Sequence, residues 1–161
     1  MARVYVSIGS NIDRARNVRS ALDALAARFA NLARSQVYES ASVGFAGDPF
    51  YNLVVAFDAS EAPREIVDIL HRIEDRHGRV RGGDRFAPRT LDLDLLLYDD
   101  LQLRDGKLVL PRDEITRYAF VLRPLAEIAP AERHPVTGKT YAELWQAFDA
   151  EGQALWPVDI D

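Results

Sequence analysis

The chain has 161 residues, 48% of them hydrophobic and 28% charged, with a formal net charge of −5 and no cysteine. That composition suits a single folded domain over 1–161 and excludes a disordered chain. The acidic balance speaks against a nucleic-acid partner, and the missing cysteine excludes disulfides, thiolate zinc sites and cysteine catalysis while permitting the cytoplasmic location we expect.

The N-terminus, MARVYVSIGSN, turns polar too soon for a signal peptide, and no later stretch has the roughly 20 apolar residues of a membrane helix, so no membrane partner is expected. Val4, Val6 and Ile8 alternate with Arg3, Tyr5 and Ser7 as a first strand, ended by Gly9-Ser10-Asn11. Val18, Leu22, Leu25 and Phe29 then fall at helical spacing and predict a helix over about 14–29. A second strand is expected near 32–39. The stretch from Ser40 to Pro49, with two glycines and a proline, reads as a loop, and Leu53 to Phe57 as a buried strand.

Ser60 is a candidate cap for a second helix with Ile66, Leu70 and Ile73 on its inner stripe, stopped at Gly78. Residues 79–90, RVRGGDRFAPRT, carry four arginines without apolar period and predict a cationic, mobile loop. It leads into a strand, Leu91 to Tyr98. Asp99-Asp100 marks a turn, and Asp105-Gly106 a hairpin turn within 101–110. Short helical pieces follow near 112–118 and 119–127. A last helix is expected over about 140–149 with Leu144, Trp145 and Phe148 facing inward. The order β-α-β-β-α-β over residues 3–98 is that of an α+β, ferredoxin-like split βαβ sheet, here with added C-terminal helices and a β-hairpin. Many functions share that fold.

The chemistry concentrates in Leu91-Asp92-Leu93-Asp94-Leu95. Residues i and i+2 of a strand share a face, about 6.6 Å apart. Asp92 and Asp94 therefore project together, opposite a row formed by Leu91, Leu93, Leu95 and Leu97. Two adjacent carboxylates repel unless a cation lies between them, and hard oxygen donors suit Mg²⁺. Alone, such a pair is more often a solvated face. Arg79, Arg81, Arg85 and Arg89 stand just upstream, and arginine binds phosphate through paired donors. Carboxylates for a metal beside an arginine-rich, glycine-bearing loop fit a nucleotide triphosphate site.

RFAPRTLDLDLLLY resembles the signature of the 6-hydroxymethyl-7,8-dihydropterin pyrophosphokinase family: basic, aromatic and small residues, then PRxxDLD and aliphatics. The resemblance extends through SIGSN, FYN, HRIE, GRVR and AFVLRPLAEIAP. It implies transfer of the β,γ-pyrophosphate of MgATP to the hydroxymethyl group of a reduced pterin, with release of AMP. By position, Asp92 and Asp94 resemble the ligands of two Mg²⁺ ions, and Arg79 and Arg89 the arginines that stabilise the transferring group. Ser40, Val43, Phe50, Asn52 and Phe120 resemble the pterin site, with Asn52 on the heterocycle edge and the two phenylalanines about the ring. His71, Glu74, Arg81, Arg85 and Arg112 fall on the ATP side. Arg112 stands where the family usually has histidine, Tyr118 where it has arginine, and Phe86 and Ala87 replace a tryptophan and a glycine. The resemblance implies ATP and pterin as partners, and we expect a monomer. A two-metal nuclease or nucleotidyl transferase and a non-catalytic ferredoxin-like binding module are the competing readings.

Overall fold

A computed structural model describes residues 1–41, 48–78 and 91–160. Its centre is an antiparallel sheet of six strands. β1 (Ala2–Ser10) lies between β5 (Asp92–Tyr98) and β4 (Phe50–Ala59), and β3 (Val37–Ser40) and β8 (Leu155–Val158) continue the order β5-β1-β4-β3-β8. β2 (Ala30–Arg34) also pairs with β4. A separate hairpin joins β6 (Leu103–Asp105) to β7 (Leu108–Leu110).

Helices cover both faces. α1 (Arg14–Arg28) and α2 (Pro63–Arg76) bury Val18, Ala21, Leu25, Ile66, Leu70 and Ile73 against Val4, Val6, Ile8, Val55 and Phe57. On the other side, α3 (Ala119–Ile128) and the short α4 (Tyr141–Gln146) cover Val54, Leu96 and Leu97. Each helix meets the sheet along a stripe at three- and four-residue spacing; in α2 this is Ile66, Ile69, Leu70 and Ile73. Among the described residues no helix is long and apolar enough to cross a membrane.

The structure departs from the sequence pattern at five points. The strand expected at 32–39 is two strands, because the pairing with β4 gains one residue between Arg34 and Val37; Ser35 fills the gap, its N–H donating to Val54 O while its Oγ accepts from Val54 N–H. Ala62, in place of Ser60, holds the N-cap position: α2 starts at Pro63, a residue suited to the first helical position, and Glu65 accepts from Ala62 N–H at 3.0 Å. Leu97 leaves the leucine row. Tyr5 pairs with Leu97 and Val6 with Leu95, so Leu96 is an extra residue and the strand changes face there. The hairpin turn is Gly106-Lys107, one residue later than expected, with Gly106 at φ 62°. The last helix ends at Gln146. Leu144, Trp145 and Phe148 are only partly buried while Tyr141 is fully buried, and residues 155–158 return as an edge strand.

Candidate active site

Strand register assembles the site. Asn52 of β4 pairs with Gly9 of β1, and Gly9 pairs with Asp92 of β5. Paired residues point to the same face, so Asn52 and Asp92 flank Gly9 at about 9–10 Å across two strand spacings. Ser7 pairs with Asp94 in the same way one step along. These positions form the floor of a cleft of about 770 Å³, walled by α2, the β6–β7 hairpin and the start of α3. The volume lies within the range of small-molecule sites.

Gly9 was not singled out from the sequence as a site residue. A Cβ there would stand 3.1 Å from Asn52 Oδ1 and 3.9 Å from Phe50 Cδ1, inside the space a ligand would use. A glycine interrupting an alternating strand is the signal that marks such a close approach.

Asp92 and Asp94 project into the cleft as expected. Burial, and then the neighbouring Asp92 carboxylate within hydrogen-bonding reach, hold the Asp94 carboxyl well above the ordinary carboxylate range; Arg112 opposes this. The Asp94 side chain still keeps 30% of its surface open, and Arg112 Nη2 lies 3.4 Å from its Oδ1. Arg112 also pairs through Nε with Glu114, and its N–H donates to Leu96 O at 3.0 Å, which ties the segment after the hairpin to β5.

At the opposite end of the floor, Asn52 is 7% exposed and donates through Nδ2 to Ser40 Oγ at 2.9 Å. That bond fixes the amide and directs Oδ1 towards Gly9. Phe50 and Phe120 both line the cleft. Phe120 is backed by Tyr118, their ring centroids 5.0 Å apart and their planes 18° from parallel. Tyr118 thus supports an aromatic wall at the position where the sequence resemblance implied an arginine.

α2 supplies the third side. His71 lines the cleft and is exposed; Glu74 lines it but is 2% exposed. Glu74 Oε2 accepts from Leu93 N–H at 2.7 Å, on the outer edge of β5 and between the two aspartates. The bond links α2 to the strand that carries the carboxylates. Glu74→Ala leaves that buried N–H without this acceptor and is expected to cost about 1–3 kcal/mol of stability by urea denaturation, whereas Glu74→Gln keeps an acceptor and costs less. Equal losses for the two variants would assign the effect to charge instead of the hydrogen bond.

Arg64 and Lys107, also missed by the sequence reading, complete the rim. Arg64 pairs with Asp105 at 2.7 Å, joining α2 to the hairpin. Val43, Arg79, Arg81, Arg85 and Arg89, with Phe86 and Ala87, lie outside the described residues.

The donor set suits a hard cation. Among the described residues no three metal-ligating side chains converge, but two cleft-facing carboxylates do. Mg²⁺ typically takes one or two carboxylates and completes its shell with water and substrate phosphates.

The model of the 7,8-dihydro-6-hydroxymethylpterin-pyrophosphokinase family matches residues 5–130. The chain belongs to this family. It is 42% identical over 154 residues to the 2-amino-4-hydroxy-6-hydroxymethyldihydropteridine pyrophosphokinase of Pseudomonas aeruginosa, covering 93% of this chain and 94% of that protein. The protein of the same name from Methylorubrum extorquens is 38% identical over 156 residues, covering 94% and 97%. The HPPK-DHPS structure of Plasmodium falciparum with pterin and p-hydroxybenzoate superposes with a TM-score of 0.73 at 14% identity. It covers 90% of this chain but only 42% of the other, so this chain spans under half of it and the likeness shows the fold alone.

Proposed function

We infer that this member of the pyrophosphokinase family transfers pyrophosphate from MgATP to the hydroxymethyl group of 6-hydroxymethyl-7,8-dihydropterin and releases AMP, a step of folate synthesis. The observation that carries the reading is the row Asn52–Gly9–Asp92 across three strands. It sets a fixed amide and a carboxylate pair at two ends of one open floor, as a reaction joining a heterocycle to a metal-bound polyphosphate requires. Neither competing reading accounts for that row or for relatives named pyrophosphokinases over more than nine-tenths of the chain.

Asp92 and Asp94 would hold two Mg²⁺ ions, which when bound supply positive charge to the polyphosphate oxygens. The rest falls to the chain. Asn52, fixed by Ser40, reads the pterin edge, and the backbone around Ser40 to Val43 supplies further contacts to the pterin. Phe50 and Phe120 enclose the flat ring and exclude water. Arg112 and His71, with Arg81 and Arg85, bind the nucleotide, while Glu74 holds the nucleotide-side wall to β5. Arg79 and Arg89 stabilise charge on the transferring group. The protein acts as a single cytoplasmic domain and monomer whose four-strand core, β5-β1-β4-β3, is ferredoxin-like.

Incubation with MgATP and the hydroxymethyl-dihydropterin tests the reading: AMP is the expected nucleotide product, and ADP alone or no pterin-dependent turnover would refute it. Asn52→Ala should weaken pterin binding by about 1–3 kcal/mol, the scale of a lost buried hydrogen bond. Calorimetry should show a much smaller change for a non-hydrolysable ATP analogue. Equal losses would make Asn52 a folding residue.

A further inference from the structure

Arg112 has two acidic partners of different kinds. Its Nε is paired with Glu114, two residues on, in the short 3-10 turn Asp113–Thr116 that Arg112 precedes. Its Nη2 is 3.4 Å from Asp94 Oδ1, on the strand that floors the cleft. The first contact is a local tether. The second spans elements, is longer than an ordinary charge-assisted hydrogen bond, and leaves both side chains partly open, 29% for Arg112 and 30% for Asp94. Glu114 and the backbone bond to Leu96 O hold the guanidinium beside the cleft whether or not Asp94 is its partner.

On the reading that Asp92 and Asp94 hold the metal of a metal–nucleotide complex, we propose that Arg112 is an exchangeable counter-ion: it neutralises Asp94 in the free protein and passes to the nucleotide polyphosphate when the divalent cation takes that carboxylate. A guanidinium can make this exchange without reorganising the backbone. It stays charged throughout, and its paired donors suit phosphate as well as carboxylate. Divalent cation alone must displace Arg112 and leave it facing an occupied carboxylate. Cation with polyphosphate gives the released guanidinium a new partner. The two ligands therefore assist one another's binding, and that assistance is reciprocal.

The test uses the whole protein, stripped of metal, with Mn²⁺ as the metal probe and a non-hydrolysable ATP analogue as the polyphosphate. Calorimetric titration measures Mn²⁺ affinity with and without the analogue. For Arg112→Gln we expect Mn²⁺ alone to bind about two- to fivefold more tightly, the scale of one partly exposed ion pair. The analogue should bind more weakly, so that the gain in Mn²⁺ affinity on adding it shrinks. Arg112→Lys keeps a charge at the site and should stay close to the unaltered protein for Mn²⁺ alone. Unchanged or weaker binding of Mn²⁺ alone by Arg112→Gln overturns the exchange and leaves Arg112 a static support. Tighter Mn²⁺ binding with unaltered analogue affinity also overturns it, because the effect would then be through-space electrostatics. If the unaltered protein and Asp94→Asn bind Mn²⁺ alike in the presence of the analogue, the metal reading of the cleft falls, and the exchange with it. That outcome is distinguishable, since it involves no Arg112 variant.

Discussion

Asp94→Asn is expected to lose transfer activity and, in metal-free buffer, to melt at a higher temperature than the unaltered protein. The activity loss should reach at least about 10²–10³-fold in kcat, the scale for one lost charge-stabilising group at a transition state. The gain in stability follows from the surroundings of the carboxylate. Burial and the adjacent Asp92 hold the Asp94 carboxyl well above its ordinary range, so the folded protein resists its ionisation. That resistance fixes the pH dependence. Below the ordinary aspartate value the group is neutral in folded and unfolded chains alike, and the substitution changes little. As pH rises from the ordinary aspartate value towards the raised one, the unfolded chain ionises while the folded chain keeps its proton, so the metal-free fold loses stability across that interval and no further above it. Asparagine carries no such charge, so the difference in Tm should widen from acidic to neutral pH, by about 2–4 °C for each kcal/mol recovered. Added Mg²⁺ should raise the Tm of the unaltered protein and leave Asp94→Asn unmoved. A variant that melts lower at neutral pH without metal would show that the Arg112 pair outweighs the repulsion.

Arg89→Ala is expected to reduce kcat by about 10²-fold or more while changing the dissociation constant of an ATP analogue much less. Arg89 lies three residues before Asp92 in the sequence. Leu91 between them is fully buried and fixes the start of the strand. Arg79 directly follows Gly78, which takes φ 78° beyond the end of α2, and Arg79→Ala should behave similarly. A cation that meets the polyphosphate mainly as charge redistributes contributes to rate more than to ground-state affinity. Single-turnover kinetics at saturating substrate decide the point: if Arg89→Ala lost affinity for the analogue yet kept its chemical rate, the arginine would be a ground-state phosphate clamp.

Much of the site could be read from the chain because its signals are local. The spacing of Asp92 and Asp94 places both on one face by strand geometry, and the arginines upstream make a phosphate ligand the reasonable partner. The resemblance also brought Ser40, Phe50, Asn52 and Phe120 to the same cleft, where the structure finds them. The stripe of α2 needed only its period. What escaped was non-local. Gly9 matters because strands far apart in the chain flank it, and Glu74, expected on the nucleotide side, also accepts from a strand N–H 19 residues away.

Which residues carry charge and which faces are apolar follows from neighbours along the chain, because alternation and helical period are local properties. The remaining features arose from strand pairing. An added residue opposite Tyr5 and Val6 turned Leu97 to the other face of the sheet, and another broke one expected strand into β2 and β3. The last residues became a sixth strand because β3 presented a free edge for hydrogen bonding. Arg112 came to Asp94 through the hairpin that turns the chain back along β5. Each of these outcomes depends on which strand pairs with which and in what register, and pairing is settled by the whole sheet at once.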